Sequence, residues 1–259
     1  MDSPPSSPSS VSGKPRADSA SDATALVTIA DSDHGFLRPN LVWRVLHFPV
    51  YLLCRSWVRV ETRGMEHLDD SKGGVFLINH QSFLDPVMAA VLLRRPVSFL
   101  ARDSLFRIPV LGWILRRTYV IPISREAARG GSIRTAIERL DQGFLVGMFP
   151  EGTRSSGADI RKFRPGFLAV VRRTNQPLYP VGIAGTDSCL PRGAWFVRPG
   201  RVKVVYGPPL SPAETQQLHD SDRDDSELCE LVRLKVAACV QQAAGLLQPC
   251  GPHPSVPKA

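Results

Sequence analysis

Apolar and polar positions alternate along this chain with two different periods. Short apolar runs of strand length occur at residues 75–78, 97–101, 119–123, 144–149, 178–183 and 202–206. The last long segment, residues 224–245, instead has apolar positions every three or four residues, which predicts a helix with one buried face. Strands that alternate with helices predict an α/β layered domain, with residues 58–63 as an edge strand.

Composition divides the chain into four parts. Residues 1–35 are rich in Ser, Pro, Ala and Asp, and we predict that they are disordered because they cannot bury enough apolar surface to fold. Residues 36–60 form an apolar segment, residues 61–250 the main domain and residues 251–259 a short tail. The first residues lack a basic segment followed by an apolar core, so no secretory signal is expected.

The apolar segment 36–60 is nearly long enough to cross a bilayer, but polar residues interrupt it. These residues are Arg44, His47 and Arg55. Each arginine would cost roughly 2.5–3.5 kcal/mol at the middle of a membrane. The aromatic residues that suit the headgroup boundary are Trp43, Tyr51 and Trp57. We therefore predict one or two interfacial helices that lie on a membrane; the alternatives are a helix packed on the domain and, against the cost of the arginines, a transmembrane span.

The basic charge of the chain is concentrated in one segment. The formal net charge is +8, and residues 102–173 contain 14 Lys and Arg against 6 Asp and Glu, which equals the whole surplus. Such a field favours anionic partners: lipid headgroups, phosphorylated substrates or nucleic acid. No nucleic-acid reading motif accompanies the charge, so nucleic acid is not an expected partner.

The five cysteines are scattered along the chain. They form neither Cys-x-x-Cys pairs nor a zinc spacing with histidine, so no metal site is expected. Cys54, Cys229 and Cys239 occupy apolar helical patterns, which predicts buried thiols in a reducing compartment.

A polar stretch follows the apolar run at residues 75–78. Residues 79–85 read Asn-His-Gln-Ser-Phe-Leu-Asp and precede a helix-like run. Active sites gather at such strand-to-helix corners. Here Asp85 can accept a hydrogen bond from Nδ1 of His80, which leaves Nε2 as a general base. Alternatively, Asp85 is a helix N-cap before Pro86, and His80 is an ordinary turn residue.

A built-in nucleophile is hard to find beside His80. Ser82 is near, but no Gly-x-Ser-x-Gly elbow surrounds it, and no cysteine lies near in the sequence. A direct transfer, in which His80 deprotonates the hydroxyl of an acceptor, therefore fits better than a covalent intermediate.

A second polar stretch follows another predicted strand. Residues 150–155 read Pro-Glu-Gly-Thr-Arg-Ser, in which Gly152 permits close backbone approach and Arg154 offers a bidentate fork for a phosphate. Glu151 can hold Arg154 or bind a substrate hydroxyl, and Arg125 at the end of another strand adds a second cation. The alternative is an exposed loop with a surface arginine. No Gly-x-x-x-x-Gly-Lys loop supports nucleotide triphosphate binding.

Together the two polar stretches resemble the motifs of the glycerolipid acyltransferases, the family typified by 1-acylglycerol-3-phosphate acyltransferase. The resemblance covers residues 61–210 and includes a middle block at 120–125 and a late block at 177–181. Two positions depart from the family pattern: Ser124 stands where Asp or Asn is common, and Arg102 stands where Lys is common. Both departures bear on the identity of the acceptor.

The resemblance implies a direct acyl transfer without a cofactor. His80 would be the general base and Asp85 its orienting partner, and the acceptor hydroxyl would attack the thioester carbonyl of the co-substrate, acyl-CoA or acyl carrier protein. The residues implied in acceptor binding are Arg102, Arg125, Glu151, Gly152, Thr153 and Arg154. The implied fold is a mixed, largely parallel sheet flanked by helices, with an N-terminal helical element at the membrane interface.

The implied function is a step of phospholipid biosynthesis, in which 1-acylglycerol-3-phosphate is acylated to phosphatidate. The protein would be membrane-associated at the cytoplasmic face and would meet an anionic membrane surface. One alternative keeps the chemistry but changes the acceptor to a lyso-ornithine lipid or another lysophospholipid. The other is a non-catalytic protein that binds anionic lipid through its basic segment.

Overall fold

The computed structural model of the 259-residue chain describes residues 39–123, 130–155 and 160–247. The predicted disordered head and the tail lie outside the described residues, as do Ser124 and Arg125 of the middle block. The structure therefore bears on the main domain and on most of the apolar segment before it.

Seven strands in the described residues form one sheet. They are β1 Val60–Arg63, β2 Gly74–Ile78, β3 Val97–Arg102, β4 Ile121–Ile123, β5 Leu145–Met148, β6 Leu178–Ala184 and β7 Val202–Tyr206. Their order across the sheet is β1-β7-β6-β2-β5-β3-β4. The strands from β6 to β4 are parallel, whereas β7 is antiparallel to β6 and parallel to β1. The predicted mixed, largely parallel sheet is confirmed, and β1 is the predicted edge strand.

Helices cover both faces of the sheet. They are α1 Leu41–Ser56, α2 Asp85–Met88, α3 Asp103–Phe106, α4 Pro109–Arg117, α5 Gly130–Asp141, α6 Leu168–Val171, α7 Thr186–Cys189, α8 Pro212–His219 and α9 Asp225–Leu247. The apolar side chains of α5, α6, α8 and α9 share a core with one face, and those of α1 and α2 share a core with the other. The helix predicted at residues 224–245 is α9.

The burial of the central strands explains why apolar runs in the sequence predicted them. Along β2, Val75 and Leu77 enter the core on one face of the sheet, and Phe76 and Ile78 enter the core on the other. All five residues of β2 and all seven of β6 are buried. A parallel strand covered by helices on both faces must be apolar at successive positions, because side chains alternate between the faces.

The carboxyl ends of the parallel strands bring the two polar stretches to one edge of the sheet. β2 ends directly before Asn79, and β5, its neighbour, ends directly before Phe149. The Asn79 side chain then joins β2 to β6: its Nδ2 donates to the carbonyl oxygen of Ile183 at 3.0 Å, and its Oδ1 accepts from the Ile183 N–H at 2.8 Å. Both polar stretches thus follow neighbouring strands whose positions are fixed within the sheet.

The described part of the apolar segment, residues 39–60, contains one helix, α1, which has apolar side chains turned to solvent. Its N-cap is Asn40, whose Oδ1 accepts from the Trp43 N–H at 2.7 Å. The helix is tied to the domain by the Asn40 N–H, which donates to the Tyr119 hydroxyl, and by a hydrogen bond between His47 and the Val91 carbonyl. The exposed apolar residues at and beside this helix are Leu41, Val45, Phe48, Val50, Tyr51, Leu52, Leu53 and Trp57. Of the helices in the described residues, none is both long enough and apolar enough to cross a membrane.

Candidate active site

His80 and Asp85 meet at the corner between β2 and α2. Nδ1 of His80 lies 2.8 Å from Oδ2 of Asp85, and the carboxylate is fully buried while the His80 side chain is 18% exposed. Among the residues that the structure describes, Nε2 of His80 has no hydrogen-bond partner. The arrangement can fix the imidazole with Nδ1 protonated and leave Nε2 to accept a proton.

Asp85 does not cap the helix that it begins. The N-cap position of α2 is Leu84, which makes no side-chain cap, and the Asp85 carboxylate turns back toward the preceding loop. There Oδ2 accepts from the backbone N–H of Gln81 at 2.6 Å and of Ser82 at 2.7 Å. The alternative that treated Asp85 as an N-cap is therefore wrong, because these bonds and His80 occupy the oxygen that a cap would offer to α2.

Thr186 completes the set of donors around Asp85. Its hydroxyl donates to Oδ1 of Asp85 at 2.6 Å, and both residues are buried. Thr186 begins α7 directly after Gly185, whose φ of +93° turns the chain sharply at the end of β6. Sequence analysis missed Thr186, although a polar residue after a predicted strand was a usable signal. A buried carboxylate with four donors is held in one orientation.

Replacing Thr186 by Val is expected to lower kcat about 10-fold and to leave KM nearly unchanged. Valine has the same shape but leaves Oδ1 of Asp85 buried without a donor, and one hydrogen bond to a charged group contributes about 1.5–3 kcal/mol. Steady-state kinetics would measure the change, and Thr186→Ser should restore the rate. A Val variant as fast as the original protein would show that Asp85 needs no fourth donor.

Glu151 braces the main chain of His80 rather than pairing with Arg154. Its Oε1 accepts from the His80 N–H at 2.7 Å, and its Oε2 accepts from the Arg161 N–H at 3.2 Å. Burial raises the pKa of Glu151, although both hydrogen bonds act in the opposite direction. Ser155 holds the next peptide along the chain, since its N–H and its hydroxyl both donate to the His80 carbonyl, at 2.7 and 3.0 Å. The second polar stretch thus positions the first.

Aromatic rings support the imidazole of His80 from one side. The ring of Phe149 stacks on it with centroids 4.3 Å apart, and Phe99 stacks on Phe149 in turn. Gly147 makes room for this stack, because a Cβ there would lie 2.2 Å from the Phe99 ring. The stack restricts the rotation of the imidazole that the hydrogen bond to Asp85 alone would still allow.

Ser82 is not placed as a nucleophile. It is fully buried, and its hydroxyl donates to the carbonyl oxygen of Leu190 at 2.9 Å. The cysteines of the described residues are also buried, and burial raises the pKa of Cys54, Cys229 and Cys239 to about 11. The predicted buried thiols are confirmed, and none is activated for attack.

Three arginines, which we call the arginine cluster, lie near one another at the second polar stretch: Arg102, Arg154 and Arg192. The guanidinium of Arg154 lies over the exposed ring of Phe83, 3.8 Å from its centroid. Burial and the nearby charges of Arg192 and Arg102 lower the pKa of Arg154, while Asp85 opposes them. Arg192, which sequence analysis missed, donates from Nη2 to the Arg154 carbonyl at 3.3 Å. Cations gathered in this way favour an anionic ligand.

Three other residues predicted to bind the acceptor, Gly152, Thr153 and Arg102, lie in the turn before Arg154 and at the end of β3. Gly152 has φ +68°, a conformation that suits glycine, and lies with Thr153 between Glu151 and Arg154. Arg102 is the exposed last residue of β3. Within the described residues, no group of His, Cys, Asp and Glu is arranged to hold a metal ion.

The chain is similar to known acyltransferases. The model of the acyltransferase family matches residues 59–184, which include His80, Asp85 and Arg154. The chain is 30% identical over 183 residues to the chloroplast 1-acyl-sn-glycerol-3-phosphate acyltransferase LPAT1 of Arabidopsis thaliana, covering 69% of this chain and 48% of that protein. The chain belongs to the glycerolipid acyltransferase family. A relative of the same name from Bacillus subtilis is 29% identical over 175 residues, covering 67% of this chain and 84% of that protein.

The fold of this acyltransferase domain has a solved counterpart. The crystal structure of PlsC, the 1-acyl-sn-glycerophosphate acyltransferase of Thermotoga maritima, superposes with a TM-score of 0.62 and 25% identity, over 77% of this chain and 80% of that one. The chain spans about half the length of the plant and algal relatives that it matches. The predicted acyltransferase fold of the main domain is thus confirmed.

Proposed function

We propose that the protein transfers an acyl chain from an acyl thioester to the free hydroxyl of 1-acylglycerol-3-phosphate, which gives phosphatidate. The observation that carries this proposal is the proximity of the His80–Asp85 pair to the arginine cluster: Ser155, the residue after Arg154, donates to the His80 carbonyl. A base near a cluster of cations suits a substrate with both a hydroxyl and a phosphate. The names of the relatives point to the same acceptor.

The proposed chemistry needs no covalent intermediate with the protein. Nε2 of His80 takes the proton of the acceptor hydroxyl as its oxygen attacks the thioester carbonyl. The tetrahedral intermediate collapses, the carbon–sulfur bond breaks, and the thiolate leaves with the proton returned from Nε2. The products are an ester and a free thiol. Asp85 stabilises the imidazolium that exists between the two proton transfers.

The arginine cluster supplies the binding energy for the acceptor in this proposal. Arg154 would bind the phosphate, with Arg102 and Arg192 beside it, and the exposed Phe83 would lie along the start of the acyl chain. Either acyl-CoA or acyl carrier protein would serve as donor. Helix α1 would lie at the membrane interface, where the acceptor is found; the cytoplasmic face stays a prediction from the sequence.

A panel of acceptors with Arg154→Gln tests the function and the acceptor together. The original protein should acylate lysophosphatidate with an acyl thioester, and Arg154→Gln should raise the KM for it about 10- to 100-fold, because a charge-assisted hydrogen bond contributes about 1.5–3 kcal/mol. The same variant should treat 1-acylglycerol, which has no phosphate, like the original protein. Lipid products are measured by mass spectrometry, with CoA and carrier-protein thioesters in parallel.

The outcomes of the panel separate the alternatives. Preference for a phosphate-free acceptor or for a lyso-ornithine lipid would reassign the arginine cluster but keep the chemistry. Vesicle binding without turnover of any thioester would support the non-catalytic lipid-binding protein instead.

A further inference from the structure

Residues 190–201, which we call the aromatic loop, join α7 to β7 and carry two large side chains into solvent. Trp195 is 99% exposed and Phe196 is 69% exposed. The loop contains three arginines and no acidic residue: Arg192, Arg198 and Arg201. Adjacent exposed aromatic rings with basic flanks are typical of proteins that bind the membrane–water boundary, where the rings find an apolar layer and the arginines find phosphates.

Hydrogen bonds hold the aromatic loop in place at both of its ends. The Leu190 carbonyl accepts from the hydroxyl of Ser82, which lies in the turn between β2 and α2 that carries His80. The Arg198 N–H donates to the Cys189 carbonyl at 2.8 Å, which closes the base of the loop, and the Ala194 N–H donates to the Pro191 carbonyl at 3.1 Å. The aromatic tip is therefore presented from a fixed base beside the active site.

The aromatic loop connects the exposed face of α1 with the arginine cluster. Nε1 of Trp57, at the end of α1, donates to the Val197 carbonyl at 3.0 Å, and the Gly200 N–H donates to the Trp57 carbonyl at 3.2 Å. At the other end of the loop, Arg192 bonds to the Arg154 carbonyl. One chain segment thus joins an exposed apolar helix to the cations beside His80.

We propose that the aromatic loop is a second membrane-binding element, in which Trp195 and Phe196 enter the headgroup layer of an anionic bilayer and Arg198 binds lipid phosphate. Together with α1, the loop would hold His80 and the arginine cluster close to the bilayer. This proposal rests on the proposed function, since the acceptor is a lipid of that bilayer. A second copy of the chain is a poor binding partner for the loop, because that copy carries the same positive net charge, +8.

Vesicle binding tests the loop without any turnover. The double variant Trp195→Ser with Phe196→Ser should bind vesicles of equal phosphatidylcholine and phosphatidylglycerol about 30-fold more weakly than the original protein, from the apolar area it loses. The matched control is Leu234→Ser on α9, a side chain 55% exposed, which should bind unchanged. Equal binding by the double variant and the original protein would overturn the proposal.

Fluorescence locates the tip within the bilayer. Trp195 is one of four tryptophans, and Trp195→Phe keeps an apolar tip, so it should still bind vesicles. The emission that the original protein has in excess of this variant comes from the indole at the tip, and brominated lipid should quench that excess. If brominated lipid leaves the excess emission unquenched, Trp195 lies in water and the proposal is wrong.

Activity on two forms of the acceptor separates this proposal from the proposed function. The double variant should lose about 10-fold in rate on lysophosphatidate in vesicles, yet keep its rate on a short-chain lysophosphatidate in free solution. If the original protein acylates neither form of the acceptor, the proposed function fails. Vesicle binding and fluorescence quenching would still test whether the loop binds the membrane. If the double variant instead changes the oligomeric state in the absence of vesicles, the loop contacts a second copy and the proposal is wrong.

Discussion

The His80→Ala variant is expected to lose about 10²- to 10⁴-fold of kcat/KM for acyl transfer, which is the usual contribution of a positioned general base. Alanine has no nitrogen to take the proton of the acceptor hydroxyl. The fold is expected to survive, because the His80 side chain is bonded only to Asp85 among the described residues, and Asp85 keeps three other donors. The main-chain bonds from Glu151 and Ser155 are also unchanged.

Ser82→Ala is the matched control for His80→Ala. Its hydroxyl donates to the Leu190 carbonyl and not to His80, so its removal should cost about 1 kcal/mol of unfolding free energy and leave the rate nearly unchanged. Both variants are measured with the same acceptor and thioester, and urea unfolding confirms that each is folded. An active His80→Ala would show that His80 is not the general base, and a folded but inactive Ser82→Ala would favour a covalent route through serine over direct transfer.

The sequence predicted those parts of the site whose residues are close together in the chain. His80 and Asp85 are five positions apart at a strand-to-helix corner, so the turn alone can bring them together. The apolar runs predicted β2 and β6 because both are buried on both faces. The polar turn around Arg154 was visible for the same reason, as it follows a buried strand.

The parts that were missed depend on which strands are neighbours. Thr186 reaches Asp85 only because β6 lies next to β2, although the two residues are 101 positions apart. Arg192 reaches Arg154 through a loop without regular spacing. The N-cap alternative for Asp85 followed a correct local rule, but in the fold the carboxylate accepts from the N–H groups of Gln81 and Ser82 in the loop before α2 instead.

The role of Glu151 in the fold could not be predicted from its residue type alone. A carboxylate three positions before an arginine suggests an ion pair or a substrate contact. In the folded chain both oxygens accept backbone N–H groups, one from His80 and one from Arg161. Because Oε1 of Glu151 holds the His80 N–H at the end of β2, the acid helps to position the base. Its predicted contact with substrate stays a prediction.

The pair of variants Asp85→Asn and Asp85→Ala separates the charge of this residue from its hydrogen bonds. In Asp85→Asn, the amide oxygen can accept from His80, Gln81 and Ser82 as Oδ2 does, and the amide nitrogen can donate to Thr186, whose hydroxyl both donates and accepts. The fold and the imidazole orientation should therefore be kept. The rate should still fall about 10²- to 10⁴-fold, because a neutral amide cannot stabilise the imidazolium formed during transfer.

Asp85→Ala should add a loss of stability to the same loss of rate. Its buried neighbours, the N–H groups of Gln81 and Ser82 and the hydroxyl of Thr186, would have no acceptor, and each such group costs about 1–3 kcal/mol. The free energy of unfolding in urea should therefore fall by about 3 kcal/mol or more relative to Asp85→Asn. If the two variants were equally stable, the donors would have found other partners, and the carboxylate would matter for charge alone. If Asp85→Asn kept the full rate, the negative charge would have no part in the transfer, and Asp85 would act only by holding the imidazole in position.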